Sequence, residues 1–334
     1  MDTVGVKIKR WTQKKWVVSL SFIALLLTMF VFEEISSSPD ASASIQIAGS
    51  AAFSSPPDIN EIQERVSVVK NLAYSDSRNS FLDIYHPKNA TAMMPVILWI
   101  HGGGYVGGSK DSRQDYAMAL ADAGYVVANM DYALAPASRY PGPVFQANQA
   151  LAYMQLHAAE YGGDMKTVFV GGDSAGAQIA SQVAALVSNA ELANTMAIQP
   201  AISNNQLQGA LLLCGLYNLD TARATAFPNI DVYLTAYTGA EPFESFPKID
   251  ELSTVQHISP EFPPVFITVG DADPFVSQSV ELVDVLQSNE VSVNSVFFEG
   301  TQKNLKHEYQ YDLSTQDARD TFEETLKFLY IHSK

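Results

Sequence analysis

VFVGGDSAGAQIA, residues 168–180, places one serine between two glycines where an apolar run changes its period. The residues before Ser174 are typical of a buried strand, and those after it follow a helical period. G-x-S-x-G between a strand and a helix indicates a sharp turn that lifts a serine hydroxyl above a sheet edge, with Gly172 and Gly176 leaving the space the turn needs. A plain helix N-cap is the alternative, and it does not explain both glycines.

Short β-branched runs alternate with helical patterns along most of the chain. This alternation predicts an α/β fold with a doubly wound, mostly parallel sheet and helices on both faces. The predicted strands are 66–72, 81–85, 96–100, 125–130, 168–170, 210–214, 265–269 and 293–298. The predicted helices are 112–123, 144–157, 175–188, 277–288 and 315–331.

Residues 220–263 do not fit the alternation, because they are rich in Pro, Tyr and Phe and have no clear period. A long insertion after a strand is often a lid or a substrate-facing cap. We therefore expect a small cap here, with ordinary packing as the alternative.

A serine hydroxyl needs a base to take its proton, and the base needs an acid to orient it. Among the six histidines, His307 follows the last predicted strand in a short polar loop, where a catalytic loop at the carboxyl edge of the sheet belongs. Asp271 and Asp273 follow the preceding strand. We expect Asp273 to be the acid, since Pro274 stiffens its turn, and Asp271 to cap the turn.

A glycine run, HGGG at residues 101–104, precedes the serine. Its backbone N–H groups and that of Ala175 are candidates for stabilising the oxyanion of a tetrahedral intermediate. A competing interpretation is a dinucleotide fingerprint at Gly102, Gly104 and Gly107. The number of positions from Gly102 to Asp131 is too large for that motif, and the next predicted helix begins at residue 112, too late for Gly107 to pack closely between helix and strand.

HGGGYVGG, DYALAPASRYPGP, GGDSAGAQIA, DADPFV and a late histidine occur in that order. Together they resemble the hormone-sensitive-lipase-like branch of the α/β-hydrolase esterases over residues 81–331. The resemblance implies an eight-stranded sheet, a small cap, no cofactor and no metal. It also implies hydrolysis of short or medium acyl esters.

Carried over by position, the resemblance makes Ser174 the nucleophile, Asp273 the acid and His307 the base. It assigns the oxyanion hole to Gly103, Gly104 and Ala175, and a bracing role to His101. The chain departs from the family pattern at two places. Ala133 and Ala137 stand in YALAPA, which predicts a lost or rebuilt charged network near Asp131, and Glu308 follows the histidine, where it could alter the pKa of the base.

The formal net charge of −16 argues against a nucleic-acid partner, and the single cysteine, Cys214, excludes an internal disulfide.

A segment rich in basic residues, 1–15, precedes an uncharged apolar run at 16–32 and a Ser/Ala/Pro-rich stretch at 33–60. We expect residues 1–15 to be a cytoplasmic segment and residues 16–32 a transmembrane signal-anchor. Residues 33–60 are then a flexible linker, and residues 61–334 an extracytoplasmic catalytic domain. Cleavage of a signal peptide and secretion is the alternative.

The favoured function is that of a membrane-anchored serine carboxylesterase acting on small-molecule esters. Carbohydrate deacetylation and amide or peptide hydrolysis would use the same triad. A catalytically silent binding protein and a nucleotide-dependent enzyme are alternatives of other classes. The intact order of serine, acid and histidine argues against a silent binding protein. The predicted helix at 112–123 begins too far after the glycine run for a nucleotide-binding loop, which argues against a nucleotide-dependent enzyme.

Overall fold

The computed structural model describes residues 53–334. One eight-stranded sheet runs in the order β1-β2-β4-β3-β5-β6-β7-β8. β1 and β2 pair antiparallel, as do β2 and β4, and the other neighbours are parallel. The strands are β1 Val66–Ala73, β2 Phe81–Pro87, β3 Met94–Ile100, β4 Val126–Met130, β5 Gly163–Asp173, β6 Leu207–Leu213, β7 Val265–Val269 and β8 Val293–Phe297. The predicted mostly parallel α/β-hydrolase sheet is confirmed.

Nine helices accompany the strands in this part of the chain. They are α1 Ile59–Arg65, α2 Gln114–Asp122, α3 Gly142–His157, α4 Ala175–Ser188, α5 Ala190–Met196, α6 Ile230–Thr238, α7 Ile249–Leu252, α8 Val276–Ser288 and α9 Gln316–His332. The five predicted helices correspond to α2, α3, α4, α8 and α9. The other four are short, and the sequence has no full amphipathic period there.

The central strands explain why the sheet is covered on both faces. Every residue of β4 and β7 is buried. In β3, Leu98 and Ile100 belong to one apolar core, and Ile97 and Trp99 belong to the other. Because alternate side chains of a strand point to opposite faces, a continuous apolar strand requires helices on both sides.

The folded part of the chain begins earlier than the predicted boundary at residue 61. α1 begins at Ile59, and the ring of Phe53 lies 5.5 Å from that of Tyr311. The predicted linker therefore ends too late. The predicted basic segment (1–15), anchor (16–32) and most of the linker lie outside the described residues. Between residues 53 and 334, no helix has both the length and the apolar character needed to cross a membrane.

The chain between β6 and β7 holds α6 and α7, together with three short 3-10 turns. This segment contains the predicted cap at 220–263. Arg223 joins two parts of this segment. It pairs with Asp231 in the first turn of α6 at 2.5 Å and with Glu244 in the 3-10 turn Phe243–Ser245 at 2.6 Å. The segment packs over the carboxyl edge of the sheet, beside the turn that carries Ser174.

Candidate active site

Ser174 occupies a turn of unusual backbone geometry between β5 and α4. Its φ of 51° and ψ of −120° lie outside the regions that ordinary residues favour. The Ser174 N–H donates to the Leu213 carbonyl at 2.9 Å, which fixes the turn to β6. A side chain at Gly172 or at Gly176 would overlap the carbonyl oxygen of Ile100. The two glycines therefore allow the turn to pack against β3.

Asp273 and His307 form a hydrogen-bonded pair. His307 Nδ1 lies 2.8 Å from Asp273 Oδ2, and the other carboxylate oxygen accepts the Phe275 N–H at 2.8 Å. Asp271 has a different role, since its carboxylate accepts the N–H groups of Leu305 and Asn304 in the histidine loop. The loop is thus held by one aspartate and the imidazole by the other.

Ser174 lines a cleft, and His307 packs against two of the rings that line it. Phe227 and Phe275 line the cleft with Ser174, and both contact the imidazole edge-to-face, with ring centroids 4.9 and 5.4 Å from it. Among residues 53–334, no hydrogen bond joins Ser174 Oγ to His307. Such bonds are commonly long before substrate arrives and shorten in the reacting complex.

The surroundings of His307 favour its protonated form. Burial alone would lower the pKa of the imidazole, but the neighbouring Cys214 and Asp273 outweigh burial and raise that pKa above its usual range. A carboxylate bonded to Nδ1 fixes the tautomer whose Nε2 can accept a proton. The pair has the arrangement of an oriented general base.

The glycine loop has the backbone conformation expected of an anion-binding loop. Gly103 and Gly104 have φ values of 112° and 59°, which favour glycine. Within residues 53–334, no hydrogen bond occupies their N–H groups or that of Ala175. The loop is tied to the serine turn because the Gly102 N–H donates to Asp173 Oδ2 at 3.1 Å.

His101 is buried behind this loop. Its Nδ1 lies 2.7 Å from the Gly102 carbonyl, and its ring stacks on Tyr132 at 4.3 Å. Burial lowers the pKa of His101, so the ring stays neutral near pH 7. α2 begins at Gln114, well after Gly107, so the loop lacks the close helix contact of a dinucleotide fingerprint.

A rebuilt charged network lies near Asp131, where the sequence departs from the resembled family. Lys110 Nζ pairs with the buried Asp83 at 3.1 Å, and the Lys110 N–H donates to Asp131 at 2.7 Å. Burial opposes the charge of Lys110, but Asp83 raises the pKa of the ammonium. The sequence pattern does not indicate Lys110 as part of this network, because a lysine in a glycine-rich loop is expected to be exposed to solvent.

A second buried network links the serine turn to the histidine loop. Arg113 donates to both carboxylate oxygens of Asp173, at 2.9 and 2.6 Å, and to Glu308 at 2.9 Å. The Tyr311 hydroxyl donates to Asp173 at 2.7 Å. Burial would raise the pKa of Asp173, but Arg113 outweighs it and lowers that pKa to about 2. The sequence pattern around Arg113 does not indicate this role either.

The cleft in front of Ser174 is small and partly open to solvent. Its lining is almost entirely apolar and aromatic. The side chains and backbone that line it are Gly104, Tyr105, Ser174, Ala175, Leu216, Phe227, Ile230, Tyr233 and Phe275. Three of these residues, Phe227, Ile230 and Tyr233, come from the predicted cap.

One group of potential metal ligands occurs in the described part of the chain. Cys214, Asp273 and His307 offer ligand atoms within 4.8 Å of one another. Two of the three are already hydrogen-bonded to each other, and Cys214 is buried. The arrangement is that of an acid and a base rather than of a preformed metal site.

The sheet order, the serine turn and the late aspartate–histidine pair define an α/β-hydrolase fold of the esterase type. The chain belongs to the BD-FAE family, whose family model matches residues 82–286.

Individual relatives are similar to this chain at moderate identity. The isoprenylcysteine alpha-carbonyl methylesterase of Arabidopsis thaliana is 27% identical over 70% of this chain and 56% of its own length. The acetyl esterase of Salmonella schwarzengrund is 25% identical over 75% of this chain and 76% of its own. The chain spans about half the length of the first plant relatives, with 50% and 56% covered.

Solved structures share the fold. Esterase B from Lactobacillus rhamnosis superposes with a TM-score of 0.72 at 26% identity, over 81% of this chain and 87% of that one. A bacterial heroin esterase superposes with a TM-score of 0.67 over 81% and 86% of the two chains. The latter, at 24% identity, shows the fold alone.

Proposed function

We propose that this protein is a serine carboxylic-ester hydrolase that works through an acyl-enzyme. The observation that carries the proposal is the Asp273–His307 pair beside a cleft that also holds the strained Ser174 turn. The esterase names of its relatives support the same reaction class. Ser174 is then the nucleophile, His307 the general base and Asp273 the acid that orients it.

In the first half-reaction, Ser174 Oγ attacks the acyl carbonyl carbon and its proton passes to His307 Nε2. The carbonyl oxygen becomes an oxyanion, and the N–H groups of Gly103, Gly104 and Ala175 donate to it. Each such donor is worth roughly 3 kcal/mol in the transition state. Collapse breaks the ester bond, and the imidazolium gives its proton to the departing alcohol.

In the second half-reaction, a water molecule takes the place of the alcohol. His307 removes one proton from it as its oxygen attacks the acyl carbon. The tetrahedral intermediate forms at the same oxyanion hole, and Ser174 leaves with the proton that His307 returns. The products are a carboxylic acid and the free enzyme.

The cleft supports a preference for short or medium acyl chains. Tyr233 lies directly over Gly104, and aromatic side chains line the space in front of Ser174, so little room is left for a long chain. Among residues 53–334, no charged side chain lines it, which favours neutral acyl groups over charged ones. Small-molecule esters are therefore the proposed substrates.

Labelling with a fluorophosphonate probe tests this proposal, together with a panel of p-nitrophenyl esters of rising chain length, sugar acetates and anilides. We expect labelling of wild type, none of Ser174→Ala, and fastest turnover of short esters. Exclusive turnover of sugar acetates or anilides would instead identify a deacetylase or an amidase. Absence of both labelling and turnover in folded wild type would identify a non-catalytic protein.

We also propose that residues 16–32 anchor the catalytic domain at the outer face of a membrane. The supports are the uncharged apolar run and the basic residues before it. Alkaline extraction of membranes from cells expressing the full chain should leave the protein in the pellet, and external protease should reach residues 53–334 in intact cells. Recovery of a shortened soluble form outside the cell would indicate signal cleavage instead.

A further inference from the structure

Arg113 is the physical link between the two halves of the proposed active site. It lies in the 3-10 turn Lys110–Arg113, just before α2. Its guanidinium contacts Asp173, the residue before Ser174, and Glu308, the residue after His307. Asp173 also accepts the N–H of Gly102 in the oxyanion loop. One side chain therefore contacts two of the segments that the reaction must hold together, and it reaches the third through Asp173.

The network is well built for positioning. Arg113 and Asp173 are 3% and 0% exposed, and their bidentate contact fixes both position and angle. The guanidinium lies 4.3 Å from the ring centroid of Tyr311 and 5.6 Å from that of Phe53, so aromatic rings cover it. A shift of about 1 Å in a reacting group can cost roughly 100-fold in rate.

Glu308 is the member of this network that titrates near neutral pH. Burial and the negative charge of Asp173 raise its pKa to about 7, against the opposing effect of Arg113. It adopts a left-handed backbone with φ of 63°, which turns the chain directly after the imidazole. The titratable or charged groups that face it are Arg113, Asp173, Cys214 and His307.

We propose that Arg113 is a positioning residue that aligns Ser174 with His307 by bridging Asp173 and Glu308, and that the charge of Glu308 tunes the base. Ionised Glu308 stabilises the imidazolium of His307. The proposal rests on the proposed hydrolase function and adds two residues to it. Neither residue lines the cleft, so both act through their neighbours.

Two substitutions separate alignment from charge. Arg113→Lys keeps the charge but removes the planar fork, so it cannot hold both carboxylates in the same geometry. Glu308→Gln keeps an oxygen that accepts from Arg113 but removes the charge. The matched control is Arg65→Lys, because Arg65 makes a bidentate contact with Asp122 at 2.6 and 2.7 Å on an exposed surface remote from the site.

The experiment measures kcat, KM and the pH profile of kcat/KM for p-nitrophenyl acetate. We expect Arg113→Lys to lower kcat roughly 100-fold with little change in KM. We expect Glu308→Gln to keep the plateau kcat and to move the acid limb of the profile to lower pH by roughly one unit. Arg65→Lys should match wild type.

The proposal is overturned if folded Arg113→Lys keeps wild-type kcat, or if the profile of Glu308→Gln superimposes on that of wild type. If Arg113→Lys does not fold, Glu308→Ala, which removes the bond from Arg113 to the histidine loop, replaces it: a loss of kcat supports the alignment role, and wild-type kcat overturns it. An inactive and unlabelled wild type would overturn the proposed function and this inference with it. Active wild type with unchanged variants would overturn this inference alone.

Discussion

His307 Nδ1 lies 2.8 Å from Asp273 Oδ2, while Asp271, two residues earlier, accepts from two backbone N–H groups and from the Thr301 hydroxyl in the histidine loop. Two aspartates at the end of one strand thus divide two tasks. One orients an imidazole, and the other shapes the loop that carries it.

This division predicts different outcomes for two matched substitutions. Asp273→Asn should lower kcat by roughly 10⁴-fold, because an amide cannot stabilise the imidazolium or hold the required tautomer. Asp271→Asn should keep most of the activity and lower the melting temperature slightly, since it weakens three loop hydrogen bonds. Steady-state hydrolysis and thermal unfolding distinguish them, and inactivation by the Asp271 change alone would reverse the assignment.

Gly176→Ala should destabilise the protein, although alanine ordinarily favours a helix by about 1 kcal/mol over glycine. The added methyl group would overlap the backbone of Ile100 and His101. We expect a loss of roughly 3 kcal/mol in the free energy of unfolding, measured by urea denaturation.

Gly300→Ala is the control for this experiment. Gly300 has a φ of 72°, and no atom lies within 4 Å of the added methyl group. Gly300→Ala should lower the free energy of unfolding by only about 1 kcal/mol, because alanine is strained in a left-handed backbone conformation. Equal losses at the two positions would mean that the serine turn is not sterically constrained.

Tyr233→Ala should widen the proposed acyl range. The ring lies over Gly104 and walls the cleft, so its removal opens space for additional methylene groups. The ratio of kcat/KM for p-nitrophenyl octanoate over acetate should rise about tenfold, since each pocket contact of this size is worth about 1–3 kcal/mol. Tyr330→Ala, at an exposed position on α9, should leave the ratio unchanged. An unaltered ratio in Tyr233→Ala would place the acyl group elsewhere.

Lys110→Met should cost about 3–5 kcal/mol of stability, because it leaves the buried carboxylate of Asp83 without its cation. Lys327→Met removes a lysine from an exposed pair with Glu324 and should cost less than about 1 kcal/mol. Chemical denaturation of both variants measures the difference. Similar losses would show that Lys110 stabilises the fold no more than a surface lysine does.

The acid limb of kcat/KM should report the proposed base. A general base works only when neutral, so the rate falls as the pH drops through the pKa of His307. Because Cys214 and Asp273 raise that pKa despite burial, the midpoint should lie above the usual value of about 6.5. Rate measurements from pH 5 to 9 in constant ionic strength test this. A midpoint well below 6.5 would assign the limb to another group.

Local patterns predicted much of this molecule. All eight strands and five of the helices follow from runs and periods along the chain. Ser174 is flanked by its strand and helix, and His307 follows the last strand, so both could be predicted from local order. The short helix α6 could not be predicted, because its nine residues are too few to show a clear helical period of apolar and polar side chains.

The networks around the site could not be predicted for a different reason. Arg113 and Glu308 are 195 positions apart, and nothing in the pattern near either residue indicates the other. Lys110 is similar, because its buried partner Asp83 lies on an antiparallel strand of the sheet. Such contacts exist only once the topology has brought distant segments to one edge.

The insert between β6 and β7 contributes bulk to the cleft, through Phe227, Ile230 and Tyr233, but none of the groups that handle charge. Those groups sit on turns of the sheet. In the proposed mechanism, selectivity and reactivity are therefore encoded in separate stretches of the chain, so substitutions in the insert should change the range of substrates without rebuilding the chemistry beneath it.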